Sequence, residues 1–259
     1  MGKTKDVEVV SVVRLVNKDT ITANDGKKRE SIRDKGVLAT TTTCNVFRLL
    51  EKCGIRTHFL AQDSPNSFLA KKCEMIPIEV VMRRTVPEGS SFLKRNPAVL
   101  PGRIFKHPTV EFFLKDDERG DPIIIIDPAT RDWKIYDARK PISEETCFGS
   151  IFPLCFVDEA KQMIKTAKQV FSVLEQAFSL LGVTLEDMKI EFGRNQEGSI
   201  ILADVIDNDS WRISKDGEEL SKQRFRDGNS AETVKTVYEI VAELSEQLPG
   251  LADKIKTNQ

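Results

Sequence analysis

The sequence predicts an α+β fold in two lobes, a small, mostly-β N-terminal lobe over 1–78 and a larger α/β lobe over 79–259. Three observations carry this. Short β-branched runs crowd the first third of the chain, the pattern of small strands. Two later stretches, 158–181 and 230–248, space their apolar residues for amphipathic helices. Between them, DMKIEFGRNQEGSIILADVIDNDSWR (187–212) reads as a hairpin whose strands carry acids where a sheet normally takes apolar residues.

Each element follows in order. DVEVVSVVRLV supplies one or two strands, and Asn24-Asp25-Gly26 marks a loop. Leu38, Val46, Phe47 and Leu50 followed by Gly54 predict a helix over 37–53. Residues 55–82 read as three short strands separated by polar turns, and Pro77 suggests a linker or an edge position. The span 83–156 reads as loop-rich, punctuated by Pro97, Pro101, Gly102 and Pro108, with one hairpin around Asp127-Pro128-Ala129-Thr130. Asp158 is placed to cap the 158–181 helix, and Gly182 to end it. Pro249-Gly250 stops the last helix.

In the hairpin, Met188, Ile190 and Phe192 alternate with Lys189, Glu191 and Gly193. A two-residue loop at Glu197-Gly198 puts Glu191 directly opposite Asp204. Opposed side chains stand roughly 5 Å apart at Cβ, where like charges repel unless something offsets them. A Mg²⁺ ion would do so, since it takes one or two carboxylates plus phosphate oxygens. Two exposed strand acids are the competing explanation.

The 259 residues are 40% hydrophobic and 31% charged, with a net charge near −1, the profile of a soluble globular protein. No overall field recruits nucleic acid or a membrane surface. Five cysteines without a CxxC pair point to reduced thiols and a cytoplasmic setting. The two histidines, His58 and His107, read as surface or loop residues. The N-terminus lacks a signal-peptide core, and the longest aliphatic run, Ile123–Ile126, is too short to span a bilayer.

Several polar clusters could carry chemistry. Gly2-Lys3-Thr4-Lys5 sets two cations beside a glycine, without P-loop spacing. Arg83-Arg84, Gly89-Ser90-Ser91 and Lys94-Arg95 combine bidentate anion donors with a turn. Lys115-Asp116-Asp117 with Asp121-Pro122 gathers carboxylates in a loop. Lys222, Arg224 and Arg226 form a basic patch near Arg212. Singly, each of these also fits a solvated loop. Together they form the kit for nucleotide-driven phosphoryl transfer, with lysines on phosphates, acids on a metal and arginines on an anionic acceptor.

EMIPIEVVMRR, SFLKRNP, VEFFLKDD followed by DP, DMKIEFG and LADVIDNDSWR together resemble SAICAR synthetase, in the form of the synthetase half of the animal bifunctional purine-biosynthesis enzyme. GKTKDV, KDTITANDGKK and RDKG are similar to its N-terminal lobe, so the likeness runs along nearly the whole chain. The resemblance implies a nucleotide cleft between the lobes and an ATP-dependent carbon–nitrogen ligase. It would phosphorylate the carboxylate of carboxyaminoimidazole ribonucleotide and let the amine of L-aspartate displace the phosphate. Lys3 and Lys5 then match phosphate contacts, and Lys72, Glu74 and Met75 match the segment bordering the adenine. Glu191 and Asp204 match the acids that hold Mg²⁺ and nucleotide. Arg83, Ser90 or Ser91, Lys222 and Arg226 match positions around the ribonucleotide, with Asp25 and Lys115 lining the same cleft. Lys189, Arg212 and Asp121 are the expected catalytic groups.

Departures from the family pattern accompany the match. The family has a strand before GKTK, Pro87-Glu88 looks inserted, Thr40 to Thr43 replace an Asn-Lys segment, and 123–150 is long. They keep a catalytically impaired nucleotide-binding paralogue or structural subunit as the alternative, and a small-molecule kinase as a third. A homo-oligomer and a separate carboxylase partner are further expectations.

Overall fold

A computed structural model describes residues 11–23, 28–127 and 129–255. In chain order the strands and helices are β1 (Val12–Val16), β2 (Thr20–Ala23), β3 (Lys28–Ser31), α1 (Lys35–Lys52), β4 (Phe59–Ser64), β5 (Ser67–Lys71), β6 (Glu74–Thr85), α2 (Ser91–Arg95) and β7 (Ile104–Leu114). There follow β8 (Ile123–Ile126), β9 (Trp133–Tyr136), β10 (Cys147–Ile151), α3 (Val157–Leu180), β11 (Val183–Arg194), β12 (Ile200–Ala203), β13 (Trp211–Lys215), β14 (Glu218–Glu219), α4 (Gln223–Arg226) and α5 (Ala231–Gln247). The mixture is α+β, as expected.

A three-stranded sheet in the order β1-β5-β4 forms the small layer, beside the β2–β3 hairpin. The main sheet has nine strands in the order β10-β9-β8-β7-β6-β11-β13-β14, with β12 also paired to β11. The boundary expected at 78/79 falls inside β6, a strand at the middle of this sheet. Thr57 pairs in parallel with Leu202, tying the small layer to β12.

β11 builds the site because of one irregularity. Its pairing with β13 shifts between Leu185 and Asp187, which bulges Glu186 out of register. A one-residue slip exchanges the two faces of a strand. Leu185, Met188, Ile190 and Phe192 are buried in the main core, which leaves Asp187, Lys189 and Glu191 on the opposite face. The core side is covered by α3, whose Met163, Ala167, Val170, Phe171, Leu174 and Phe178 are buried, as its helical spacing predicts.

Several expectations need correction. The span 83–156 is not chiefly loop, since β7 to β10 carry the sheet to its outer edge. The expected hairpin is the β8–β9 pair, and β10 adds a third strand to it. Pro77 lies neither in a linker nor on an edge. It sits in β6 where pairing with β11 jumps from Glu191↔Glu79 to Gly193↔Met75, so its missing N–H leaves no gap in a regular ladder. Asp158 does not cap α3: Phe156 holds the cap position, and its N–H donates to Glu159 Oε2 at 2.7 Å. Ser230 caps α5, and the α-helix ends at Gln247, just ahead of Pro249-Gly250 as expected, with a 3₁₀ turn over Leu248–Lys254 following it.

The hairpin register also differs from expectation. Glu191 pairs with Ala203, not Asp204, because the loop runs over Asn195–Ser199, closed by the Asn195 N–H to the Ser199 carbonyl at 3.0 Å. Glu197-Gly198 does not form a two-residue turn, since Asn195 captures the Glu197 and Ser199 N–H groups with its side chain.

Candidate active site

Glu191 is 3% exposed and receives two lysines. Lys115 Nζ donates to both of its carboxylate oxygens at 2.9 and 2.7 Å, and Lys189 Nζ donates to Oε1 at 3.2 Å. Lys189 also donates to Glu79, the residue directly opposite Glu191 on β6. The opposed pair of acids that the hairpin calls for therefore exists, but its second member is Glu79, and a lysine offsets it. Burial works against the Lys189 cation, yet Glu79 and Glu191 outweigh that and raise its pKa. Burial likewise opposes the Glu191 carboxylate, and Lys189 and Lys115 prevail to lower its pKa.

Asp204 reaches the same place by another route. It follows β12 with φ 61°, a left-handed conformation that re-aims its side chain. Burial, and then the neighbouring Glu191, push its carboxyl up to about 6. It has no ion-pair partner among the described residues. Its carbonyl meets His58 Nε2 at 2.9 Å. His58 is thus not a surface residue: it is 3% exposed, and burial lowers its pKa to about 4, keeping the ring neutral. His107 is exposed.

Glu191, Asp204, Lys115 and His58 share a cavity of about 400 Å³ with Val13, Leu15, Lys72, Met75 and Ile76. Its lining combines apolar side chains with charged ones, the composition of a site for a base with a phosphate chain. Glu74 does not line it; its exposed side chain points to Arg194 at 3.9 Å. Asp121 does not line it either. In a left-handed turn, φ 51°, its Oδ1 accepts the Asp116 N–H at 2.9 Å and so shapes the loop that presents Lys115. Lys3, Lys5 and Asp25 lie outside the described residues.

The same face of the sheet continues into a buried charge chain. Asp187 Oδ2 accepts from Arg83 and Arg212, each at 2.6 Å. Arg83 Nε also donates to Glu111 at 2.8 Å. Ser90 is buried, with its hydroxyl 3.4 Å from Arg83 and capping α2 through the Phe92 N–H, whereas Ser91 is half-buried in the first turn. Burial, then Arg212, lowers the pKa of Arg226. Burial lowers that of Lys222 against the attraction of Asp209, 3.5 Å away. Arg212 lines a second cavity of about 500 Å³ with Thr85, Pro87, Glu186 and Glu219.

Sequence reasoning missed Glu79, Glu111, Asp187 and Asp209, the counter-ions. Glu111 pairs with Val81, which sets it diagonally between Glu79 and Arg83 on one face of β6 and β7, a signal that emerges only once strand pairing is known. The replaced segment Thr40 to Thr43 lies inside α1. Thr40 donates to the Gly36 carbonyl at 2.8 Å and accepts from Asn17 at 2.7 Å, and Thr43 reaches the Ile206 carbonyl at 3.3 Å.

Comparison with known proteins gives the family. A family model described as SAICAR synthetase matches residues 1–243. A phosphoribosylaminoimidazole-succinocarboxamide synthase of Chloroflexus aurantiacus is 43% identical over 256 residues, covering 94% of each chain. The bifunctional phosphoribosylaminoimidazole carboxylase/succinocarboxamide synthetase of Drosophila melanogaster is 38% identical over 258 residues, 93% of this chain and 56% of that one. Among solved structures, SAICAR synthetase from Pyrococcus horikoshii superposes with TM-score 0.75 at 30% identity, covering 91% of this chain and 93% of that one. A SAICAR synthetase in complex with ADP gives 0.74 at 29% identity, covering 93% and 92%. The chain belongs to the SAICAR synthetase family.

Proposed function

We infer that this cleft joins L-aspartate to the carboxylate of carboxyaminoimidazole ribonucleotide at the expense of ATP. The observation that carries the assignment is the single sheet face on which an apolar cavity, a lysine–carboxylate cluster and an arginine chain follow one another. The ADP-bound relative supports nucleotide in the apolar cavity.

A carboxylate is a poor electrophile. Its oxygen attacks the γ-phosphorus of ATP, the bond to ADP breaks, and an acyl phosphate forms. The aspartate amine then adds to the carbonyl carbon, loses a proton, and phosphate leaves with the C–O electron pair. Val13, Leu15, Met75 and Ile76 bind the adenine. Lys189, kept protonated by its two acids, would serve as the cation for the transferring phosphoryl group. Arg83, Arg212, Arg226, Lys222 and Ser90 take the ribonucleotide, with Asp187 orienting Arg83 and Arg212 and Glu111 holding Arg83 from its other side.

Glu191 and Asp204 fit a divalent cation such as Mg²⁺. They are hard oxygen donors in one buried site, and burial with the neighbouring Glu191 outweighs the lysines near the Asp204 carboxyl. No group of three or more ligating side chains occurs among the described residues, so phosphate oxygens would complete the ion's shell. Such an ion neutralises charge on the phosphates as the phosphoryl group moves.

Among the described residues no helix is long and apolar enough to cross a membrane. The Drosophila relative is fused to a carboxylase, which supports a carboxylase acting upstream of this chain. Phe148, Phe152 and Phe156 are exposed beside the edge strand β10 and support assembly with a second copy. The test of the activity is ADP release by the purified chain with ATP, Mg²⁺, aspartate and the carboxylated ribonucleotide. Release that requires both co-substrates is the expected outcome. Aspartate-independent release would make the protein a kinase.

A further inference from the structure

We propose that Lys115 is a built-in stand-in for the divalent cation: in the ligand-free protein its ammonium takes the ion's place on Glu191, and metal binding displaces it. This rests on Glu191 and Asp204 being the metal pair.

The two lysines on Glu191 are not equivalent. Lys189 belongs to the same strand and is held from the other side by Glu79, so it stays where the sheet puts it. Lys115 stands one residue beyond β7 with its N–H anchored to the Pro77 carbonyl at 3.1 Å. Its side chain is 50% exposed, whereas that of Glu191 is 3% exposed. Only the lysine can leave, and it can do so without moving a strand.

Its placement matches that of an ion. The ammonium spans both oxygens of Glu191, 2.9 and 2.7 Å away, on the wall of the cavity that Asp204 also lines. Burying Glu191 without a compensating cation is costly, and Lys115 meets that cost while the cleft is empty. A strongly hydrated ion such as Mg²⁺ then enters with its phosphate ligands, and the released ammonium turns toward the incoming anion.

Mn²⁺ serves as the probe, titrated into the full chain by electron paramagnetic resonance, first without nucleotide and then with ADP. Lys115→Met and Lys115→Gln should each bind nucleotide-free Mn²⁺ at least about tenfold tighter than the unsubstituted chain. Lys115→Arg should bind as weakly as the unsubstituted chain. Lys72→Met is the control for mere loss of nearby charge, because Lys72 lines the cavity without touching Glu191; it should change affinity by less than about threefold. Equal gains in the Lys72 and Lys115 variants, or no gain in either, would overturn the proposal. If Glu191→Gln leaves Mn²⁺ binding with ADP unchanged, the metal assignment itself fails and the stand-in role falls with it. If Glu191→Gln abolishes that binding while Lys115→Met gains nothing, the stand-in role alone fails.

Discussion

Asp204 shows how a single backbone angle can replace a register. The acid is one position out of line with Glu191, yet its positive φ and its place at the end of β12 bring it into the same cavity. Its carboxyl titrates near 6 in the folded chain against 3.8 unfolded. The folded state therefore binds the proton more tightly, and stability is lost as pH rises through that window. Asp204→Asn removes the loss: at pH 7.5 the ligand-free variant should melt a few degrees higher by scanning calorimetry. The same variant should lose at least about 100-fold in ADP release, since on the proposed mechanism it removes one of the two carboxylates that would hold the divalent cation. Gly193 carries a second residue-scale constraint. A Cβ there would stand 2.6 Å from Cys73 Cβ and 3.3 Å from Met75 Sδ, two residues that line the cavity. Gly193→Ala should destabilise by about 1–3 kcal/mol in urea unfolding and weaken ADP binding in calorimetry.

At the scale of elements, β6, β11 and β13 act together through Asp187, which bridges an arginine from each neighbour. Removing one member of a buried charge set leaves the others uncompensated. Asp187→Asn should cost about 3 kcal/mol in denaturant unfolding. It should also raise KM for the ribonucleotide and leave KM for ATP nearly unchanged, because the cavity proposed for nucleotide is lined without Asp187 or its arginines. Unequal arginine roles on one strand are visible here too. Arg83 points to Asp187 and Glu111, while Arg84, on the other face, pairs with Glu175 of α3 at 2.6 Å. The alternation of a strand separates an arginine on the charged face from one packed against α3.

The whole molecule shares one main core. Phe47 of α1 meets the rings of His58, Phe59 and Phe68 at 5.6, 5.8 and 6.2 Å, and the same buried cluster extends through α3, β11 and α5. Both lobes should therefore unfold in one cooperative transition followed by tryptophan fluorescence. Phe47→Ala should shift that transition as a unit by about 3–5 kcal/mol.

Periodicity within short windows was sufficient for α1, α3, α5 and the β11–β12 hairpin, because amphipathic spacing is a local property of the chain. The acids of the hairpin, the lysines beside them and the basic loops were legible as residue types in a recognisable order. Which acid faces which was not. The bulge at Glu186 and the Asn195 loop each shift a register, and a shift of one residue reverses a face. Glu79, Asp187 and His58 gained their places from strands far apart in sequence. Burial in the folded chain, not composition, gave Asp204 and His58 their altered proton affinities, since a charge is penalised only once its water has been removed.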